Sequence, residues 1–212
     1  MPQYVIDKKV ILMTNLENLV EAVVGRLFIP LEASGRHVHV TVDQAGILFG
    51  HGLTPERPLS QPGQFLAKER VTVRGPKGTF EHVAVLGPER KEAQVEVSLT
   101  DARHLGLKPP VRPSGDVSGS PGAELIGPRG SLRIPQGVIA ARRHIHMTPE
   151  DAARFHVTDG QIVSLKTFTA RPMILEDVQV RVHKNFATFA HLDIDEANAC
   201  GFQNGDLGRL LP

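Results

Sequence analysis

Two His-x-His motifs are the parts of this sequence whose residue types and spacing best suit chemistry. The first pairs His37 with His39, and the second pairs His144 with His146. In a β-strand, side chains two residues apart point to one face about 6.5–7 Å apart, whereas on a helix they diverge. The aliphatic neighbours of both motifs favour strands. Each motif therefore predicts two imidazoles on one face, where they can share a divalent metal ion.

An internal repeat supplies a third ligand for each pair. The segment 36–41 (RHVHVT) matches 143–148 (RHIHMT), and the segment 96–102 (EVSLTDA) matches 191–197 (HLDIDEA) in the same order. The repeat aligns Glu96 with His191, each between apolar neighbours on a predicted strand. It predicts one metal site of His37, His39 and Glu96 and another of His144, His146 and His191. Three protein ligands leave coordination positions open, as a catalytic zinc site does.

Taken singly, histidines and glutamates in such positions usually have no role in metal binding, so the case for metal sites depends on the repeat. A single His-x-His strand is usually a surface strand, and a single Glu96 or His191 is usually a solvated or core polar residue. Their equivalent placement in two repeats favours metal binding. Cys200 is predicted at a helix end without a neighbouring base, so it is not expected to be a nucleophile. The remaining histidines are expected at the surface: His51, His82, His104, His156 and His183.

Arginines provide candidates for binding an anion. Arg90 follows the turn Gly87-Pro88 and precedes Glu96 by a few residues. Its guanidinium is either a solvated charge or a clamp for an oxyanion near the metal on Glu96. Four further arginines occur in a stretch without acidic residues and form either an anion-binding patch or a solvated face: Arg129, Arg133, Arg142 and Arg143.

The elements that must position these side chains are short strands separated by turns. A helix is predicted from Asn15 to Leu27, where apolar residues recur at helical spacing before Pro30. Thr41 and Thr148 resemble helix N-caps, so a helix should follow each His-x-His strand. Further strands are predicted at 71–73 and 80–86, which form a hairpin, and at 138–141, 161–168 and 178–182. The pattern predicts a mainly β fold, a barrel or sandwich with a few helices.

Composition excludes several classes of protein. The 24 Lys and Arg against 23 Asp and Glu give a net charge of +1, without the basic surplus that nucleic-acid binding needs. The longest stretch without charged residues, 44–55, is too short to span a membrane. The apolar run 10–13 is too short for a secretory signal. One cysteine cannot form an internal disulfide, so we expect a soluble, intracellular protein.

Several motifs taken together resemble the PduL-type phosphotransacylases, which are phosphate propanoyltransferases associated with bacterial microcompartments. The resemblance runs from about Ile29 to Phe202. It rests on motifs in one order: GRHVH at 35–39, LSQPGQF at 59–65, VLGPER at 85–90, QVEVS at 94–98, SGD at 114–116, ARRHIHM at 141–147 and HLDIDEAN at 191–198.

The resemblance implies a fold of two β-barrel domains with short capping helices, internally duplicated. The implied divisions are a leader at 1–14, a helix and strand at 15–34 that join the C-terminal barrel, a central barrel at 35–141 with a loop or hairpin insertion at about 48–68, and a C-terminal barrel at 142–212. The barrels are interleaved, because the segment before His37 belongs with the C-terminal part.

The resemblance also implies the chemistry. Two zinc ions are held by the two triplets, Arg90 contacts phosphate as a catalytic residue, and Ser114 is a further phosphate-site residue. The expected reaction converts propanoyl-CoA or acetyl-CoA plus phosphate to acyl phosphate plus CoA, by direct attack of phosphate on the thioester. The expected assembly is a homo-oligomer, a dimer, in the cytoplasm or the lumen of a bacterial microcompartment.

Two other functions are compatible with the motifs. A dinuclear zinc hydrolase would use a zinc-bound hydroxide instead of phosphate. A non-catalytic metal-binding or scaffold module would hold metal without turnover. The residues that contact the CoA nucleotide are not apparent from the sequence.

Overall fold

The structure is a computed structural model that describes residues 16, 18–20 and 23–211. The described residues between 16 and 27 are helical and form α1, as predicted, while the leader at 1–14 and Asn15 lie outside the described residues. Among the described residues, no helix combines the length and apolar character needed to cross a bilayer. Several apolar side chains of α1 are exposed: Leu16, Leu19, Val20, Val23 and Leu27.

Strands make up most of the ordered structure, so the mainly β prediction is confirmed. The strands are β1 (Ile29–Ser34), β2 (His37–His39), β3 (Pro55–Pro58), β4 (Phe65–Arg74), β5 (Thr79–Gly87), β6 (Gln94–Glu96), β7 (Val111–Arg112), β8 (Ala123–Ile126), β9 (Ser131–Ile134), β10 (Val138–Ala141), β11 (His144–Met147), β12 (Ile162–Phe168), β13 (Ile174–Val182), β14 (Phe189–Asp193) and β15 (Leu207–Leu211). The remaining helices are α2 (Val42–Phe49), α3 (Leu99–Leu105), α4 (Pro149–Arg154) and α5 (Ile194–Cys200).

The strands form two sheets, each with its own apolar core. One sheet closes into a six-stranded barrel in the order β1-β14-β11-β13-β12-β15. The other runs β7-β10-β6-β2-β5-β4-β8-β9, with β3 added beside β4, and curls into a half-barrel. The predicted hairpin is present as the antiparallel pair β4 and β5.

The internal repeat is visible in the strand pairing. In the half-barrel, β2 lies between β5, which is parallel to it, and β6, which is antiparallel. In the barrel, β11 lies in the same way between parallel β13 and antiparallel β14. Each unit also takes a parallel strand from the other end of the repeat, because β1 pairs with β14 and β10 pairs with β6. The two units are therefore interleaved by an exchange of strands.

Alternation along β2 and β11 points the histidines away from the cores. Val38 and Val40 are buried in the core of the half-barrel, and Ile145 and Met147 are buried in the core of the barrel. Full burial of such a side chain contributes roughly 1.5–3 kcal/mol, which fixes the face that each strand turns inward. The histidines between them must then project from the outer face of each sheet.

A helix begins directly after each His-x-His strand, as predicted. Thr41 accepts a hydrogen bond from the backbone N–H of Gln44, whose side chain accepts one from the N–H of Thr41, which completes a capping box. Thr148 accepts from the N–H of Asp151, but the Asp151 carboxylate contacts Arg154 and Thr188 instead of returning to the cap. The second capping box is thus only half formed.

Candidate metal and substrate site

The outer faces of the two units meet across a single cleft. Its volume is about 530 Å³, and both predicted triplets contribute to its walls. Arg90 and Ser114 also line this cleft. All eight residues predicted from the sequence as site residues therefore lie together, although the two triplets belong to different sheets.

In the first triplet, two imidazoles converge on one carboxylate. His37 lies opposite Glu96 in the antiparallel pair of β2 and β6. The Nε2 atoms of His37 and His39 lie 3.3 and 3.9 Å from Oε1 of Glu96. The Nδ1 atoms face backbone carbonyls instead, at 2.9 Å from Gly35 and 3.1 Å from Leu86. A carbonyl can only accept, so Nδ1 carries the proton and the Nε2 lone pair is free.

In the second triplet, three imidazoles converge. His144 lies opposite His191 in the pair of β11 and β14, and its Nδ1 lies 2.8 Å from the carbonyl of Arg142. Nδ1 of His146 lies 3.2 Å from Nε2 of His191. The ring of Phe186 covers His146, with centroids 4.1 Å apart. The second triplet is thus formed entirely by nitrogen donors.

Both triplets fit a zinc ion in donor type and spacing. Within each triplet, the potential ligand atoms all lie within 4.8 Å of one another. Two ligands at zinc–nitrogen distances of about 2.0–2.1 Å and a tetrahedral angle are about 3.3 Å apart, close to the shortest separations here. Imidazole and carboxylate ligands suit zinc, and three of them leave a position for another molecule.

Burial and neighbouring charge set the protonation of these ligands. Burial alone would raise the pKa of Glu96, but His37 and other neighbours hold it well below its usual range. Burial would lower the pKa of His37, yet the Glu96 carboxylate outweighs it and the pKa is raised. Burial is the main cause, and nearby histidines the second, of the low pKa values of three other imidazoles. The pKa is lowered to about 2 for His39 and His146 and to about 3 for His191. Most of the imidazoles are therefore neutral at pH 7, the form that binds metal.

Of the arginines that line the cleft, Arg90 and Arg181 lie beside the triplets, on opposite units. Arg90 follows β5, and its backbone N–H donates to the carbonyl of Val40 at 2.9 Å, which holds this loop beside the first triplet. Arg181 lies on β13 opposite His146. Burial lowers the pKa of both guanidinium groups, which still remain charged. Within the part of the chain that the structure describes, neither arginine forms a salt bridge, so both charges are available to an anion.

Ser114 lies where the loop before β8 reaches the first triplet. Its hydroxyl donates to Oε1 of Glu96 at 2.8 Å and accepts from the Gln94 amide at 2.8 Å. Nη1 of Arg90 lies 3.4 Å from the same oxygen. The hydroxyl proton of Ser114 is thus directed to Glu96, while its role toward phosphate stays a prediction.

The other residues singled out from the sequence do not join the two triplets. The five remaining histidines are exposed, as expected. Cys200 is buried in the barrel core. Arg142 pairs with Asp177, and Arg143 pairs with Glu196, so these two arginines form salt bridges rather than a free anion-binding patch.

Sequence reasoning missed several polar residues of the cleft, three of which lie beside the second triplet: Arg181, Gln61 and Glu32. Arg181 alternates with the apolar residues Val180 and Val182, a signal that places it on the outer face of its strand. Gln61 is buried and forms two hydrogen bonds to the backbone of Ala187 in the other unit, and nothing local in the sequence marks this. Glu32 lies beside His191 and could be recognised only from strand pairing.

Comparisons with known proteins show which family this sequence resembles. The family model for phosphate propanoyltransferase (PTAC) matches residues 30–203. A phosphate propanoyltransferase of Enterococcus faecalis is 49% identical over 207 residues, covering 94% of this chain and 98% of the relative. Those of Leptotrichia buccalis and Thermotoga maritima are each 52% identical, covering 85% and 82% of this chain and 86% and 84% of the relatives.

Proposed function

This chain belongs to the phosphate propanoyltransferase family, and from that premise we propose that it interconverts acyl-CoA and phosphate with acyl phosphate and CoA. The observation that carries the proposal is the single cleft, in which Arg90 and Arg181 lie beside two metal-type triplets and have no carboxylate partner among the described residues. Such a cleft offers separate places for a thioester and a phosphate anion. The acyl group is propanoyl or acetyl, which differ by one methylene, worth about 1–3 kcal/mol in a pocket.

We propose that the cofactors are two zinc ions. His37, His39 and Glu96 would hold one, and His144, His146 and His191 would hold the other. Zinc supplies Lewis acidity toward carbonyl or phosphoryl oxygens and a soft partner for the CoA thiolate. The hydrogen bonds from Nδ1 to carbonyls support the assignment, because they orient free Nε2 lone pairs toward a shared point.

The two arginines bind and orient the phosphate. A guanidinium forms paired, charge-assisted hydrogen bonds with phosphate oxygens, and two of them on opposite walls fix its orientation. Holding phosphate against the thioester lowers the entropic part of the barrier, by up to about 7–11 kcal/mol in well-oriented model systems. Ser114 supports this arrangement, since its hydroxyl lies between Glu96 and Arg90.

Phosphate attacks the thioester carbonyl directly. A phosphate oxygen forms the new C–O bond, the C–S bond breaks, and the electron pair leaves on the sulfur as CoA thiolate. Direct attack needs no protein nucleophile, because phosphate is itself the acyl acceptor, and Cys200 lies in the barrel core away from the cleft. The same cleft serves the reverse reaction.

We also propose, on the family resemblance, that the protein acts as a homodimer in the cytoplasm or in a microcompartment lumen. The exposed apolar side chains of α1 support a contact with another protein surface. The domain division at residues 34 and 141 is part of the same proposal. The strand exchange between the two units supports it.

The decisive experiment is elemental analysis of the purified protein together with a CoA-release assay with and without phosphate. We expect two zinc ions per chain, and release of CoA that requires phosphate and matches the acyl phosphate formed. Removal of zinc with a chelator should abolish the activity, and added zinc should restore it. Release without phosphate would indicate a hydrolase instead, and bound metal without turnover on any thioester would indicate a metal-binding module.

A further inference from the structure

The neighbour of the third ligand differs between the two units. In the barrel, β1 places Glu32 directly beside His191. In the half-barrel, β10 occupies the equivalent position and places Ile139 directly beside Glu96. Residues aligned on adjacent strands point to the same face, so each neighbour lies against the ligand. The duplicated fold therefore pairs a carboxylate with the histidine and an apolar residue with the glutamate.

Contacts hold Glu32 against the back of His191. Oε2 of Glu32 lies 3.2 Å from Nδ1 of His191, on the far side of the ring from the atom that faces the triplet. The hydroxyl of Ser60 donates to the same Oε2 at 2.5 Å. Ser60 belongs to the loop between β3 and β4, so a residue of the half-barrel unit steadies a carboxylate of the barrel.

The surroundings of Nε2 agree with a proton on Nδ1. Nδ1 of His146 lies 3.2 Å from Nε2 of His191, and the amide nitrogen of Gln61 lies 3.4 Å from it. An amide NH₂ can only donate, so Nε2 of His191 must be the accepting atom. A carboxylate can only accept, so Nδ1 must be the donor. Both sides of the ring therefore require the same tautomer.

We propose that Glu32 is a positioning residue for the second metal site, which it completes electrostatically through His191. This inference rests on the proposed two-zinc function. Each site then has one carboxylate: Glu96 as a ligand in the first, and Glu32 behind a ligand in the second. A carboxylate fixes the tautomer as a carbonyl does, and its charge also makes the imidazole a stronger ligand. Ser60 keeps that carboxylate in line with the ring.

Zinc affinity tests the inference separately from catalysis. We would titrate metal-free wild type, Glu32→Gln, Glu32→Ala and Ser60→Ala proteins with zinc against a competing chelator. We expect one of the two binding events to weaken about 10–100-fold in Glu32→Ala, as for other partners of metal-bound histidines, and the other event to stay unchanged. Glu32→Gln keeps an acceptor without the charge and should weaken the same event less. Glu176→Gln removes an exposed glutamate of the same barrel and is the matched control.

A second measurement follows the tautomer itself. Nitrogen-15 spectra of metal-free protein with labelled histidine should show His191 protonated at Nδ1 in wild type and as a mixture of tautomers in Glu32→Ala. A purely structural role for Glu32 would leave this signal unmoved. If both zinc-binding events have the same affinities in the two Glu32 variants as in wild type, the inference is wrong, but the proposed function stands. A wild-type protein that binds no zinc overturns the two-zinc proposal instead.

Discussion

The two triplets occupy equivalent strands of a duplicated fold, yet their electrostatics differ. In the first, the attraction between Glu96 and His37 outweighs burial, so the pKa of the acid is lowered and that of the base is raised. In the second, burial lowers the pKa of all three histidines, which stay neutral. The comparison shows that strand pairing preserves the geometry of a site while one substitution, between glutamate and histidine, changes its charge.

The difference suits a division of labour between two substrates. The first triplet contains a carboxylate, so a zinc ion held there would be less electrophilic than one in the second triplet. Such a site suits a thioester, whose sulfur becomes an anion only late in the reaction. The second triplet has neutral ligands and lies beside Arg181, so it keeps more positive charge for an anion such as phosphate. We propose this assignment as an extension of the two-zinc function, and changes in the triplets and in the two arginines test the comparison between the units.

Removal of one histidine from each triplet has the largest expected effect. His37→Ala and His144→Ala should each reduce the zinc content from two ions to one and lower kcat/KM by about a thousandfold, since each zinc supplies several kcal/mol of charge stabilisation. Elemental analysis and the CoA-release assay measure both. His51→Ala removes an exposed histidine and should change neither. Retention of both ions in the two cleft variants would contradict the division into separate sites.

Replacement of the two cleft arginines has the next largest effect. Arg90→Ala and Arg181→Ala should each lower kcat/KM for phosphate by about a hundredfold, as expected for loss of one charge that stabilises the transition state. The KM for acyl-CoA and the zinc content should stay near the wild-type values. Lysine at either position should restore only part of the activity, because it cannot form paired hydrogen bonds.

The exposed Arg209 supplies the control for these variants, and Arg209→Ala should behave as wild type. A large effect at Arg90 with none at Arg181 would place phosphate beside the first unit alone. The expectation that arginines on both walls of the cleft bind the phosphate would then be wrong.

The smallest expected effect concerns the contact between equivalent positions of the repeat. Asp195 on α5 accepts from the Ser98 hydroxyl at 3.0 Å and from the backbone N–H of Thr100 at 2.9 Å, and the repeat aligns Asp195 with Thr100 itself. Asp195→Ala should lower the free energy of unfolding by about 1 kcal/mol, the typical cost of losing a helix cap. Denaturant titration measures it. Thr100→Ala keeps the backbone donor and should cost much less, so equal losses would refute this account.

Sequence patterns brought out the residues of the two triplets better than the residues around them. Alternation around His37 and His144 was enough to predict both strands, and the repeat added Glu96 and His191 without any knowledge of pairing. Arg181 carried a local signal, its alternation with Val180 and Val182, whereas Glu32 required the register between strands far apart in the chain, which no local pattern contains. Two barrels were predicted, and the structure has one closed barrel and one sheet that curls into a half-barrel. Whether a sheet closes depends on the stagger between its strands, which composition does not reveal.

The exchange of strands between the two units has a consequence for how the molecule assembles. Among the described residues, β1 pairs with β14 and β15 alone, which come much later in the sequence. During synthesis, this early segment must wait for nearly the whole polypeptide before its backbone groups find partners. Such distant pairing slows folding, because the entropy of closing a long loop is lost before the contacts form. The barrel can therefore close only after β14 and β15 have been made, and with it Glu32 reaches His191.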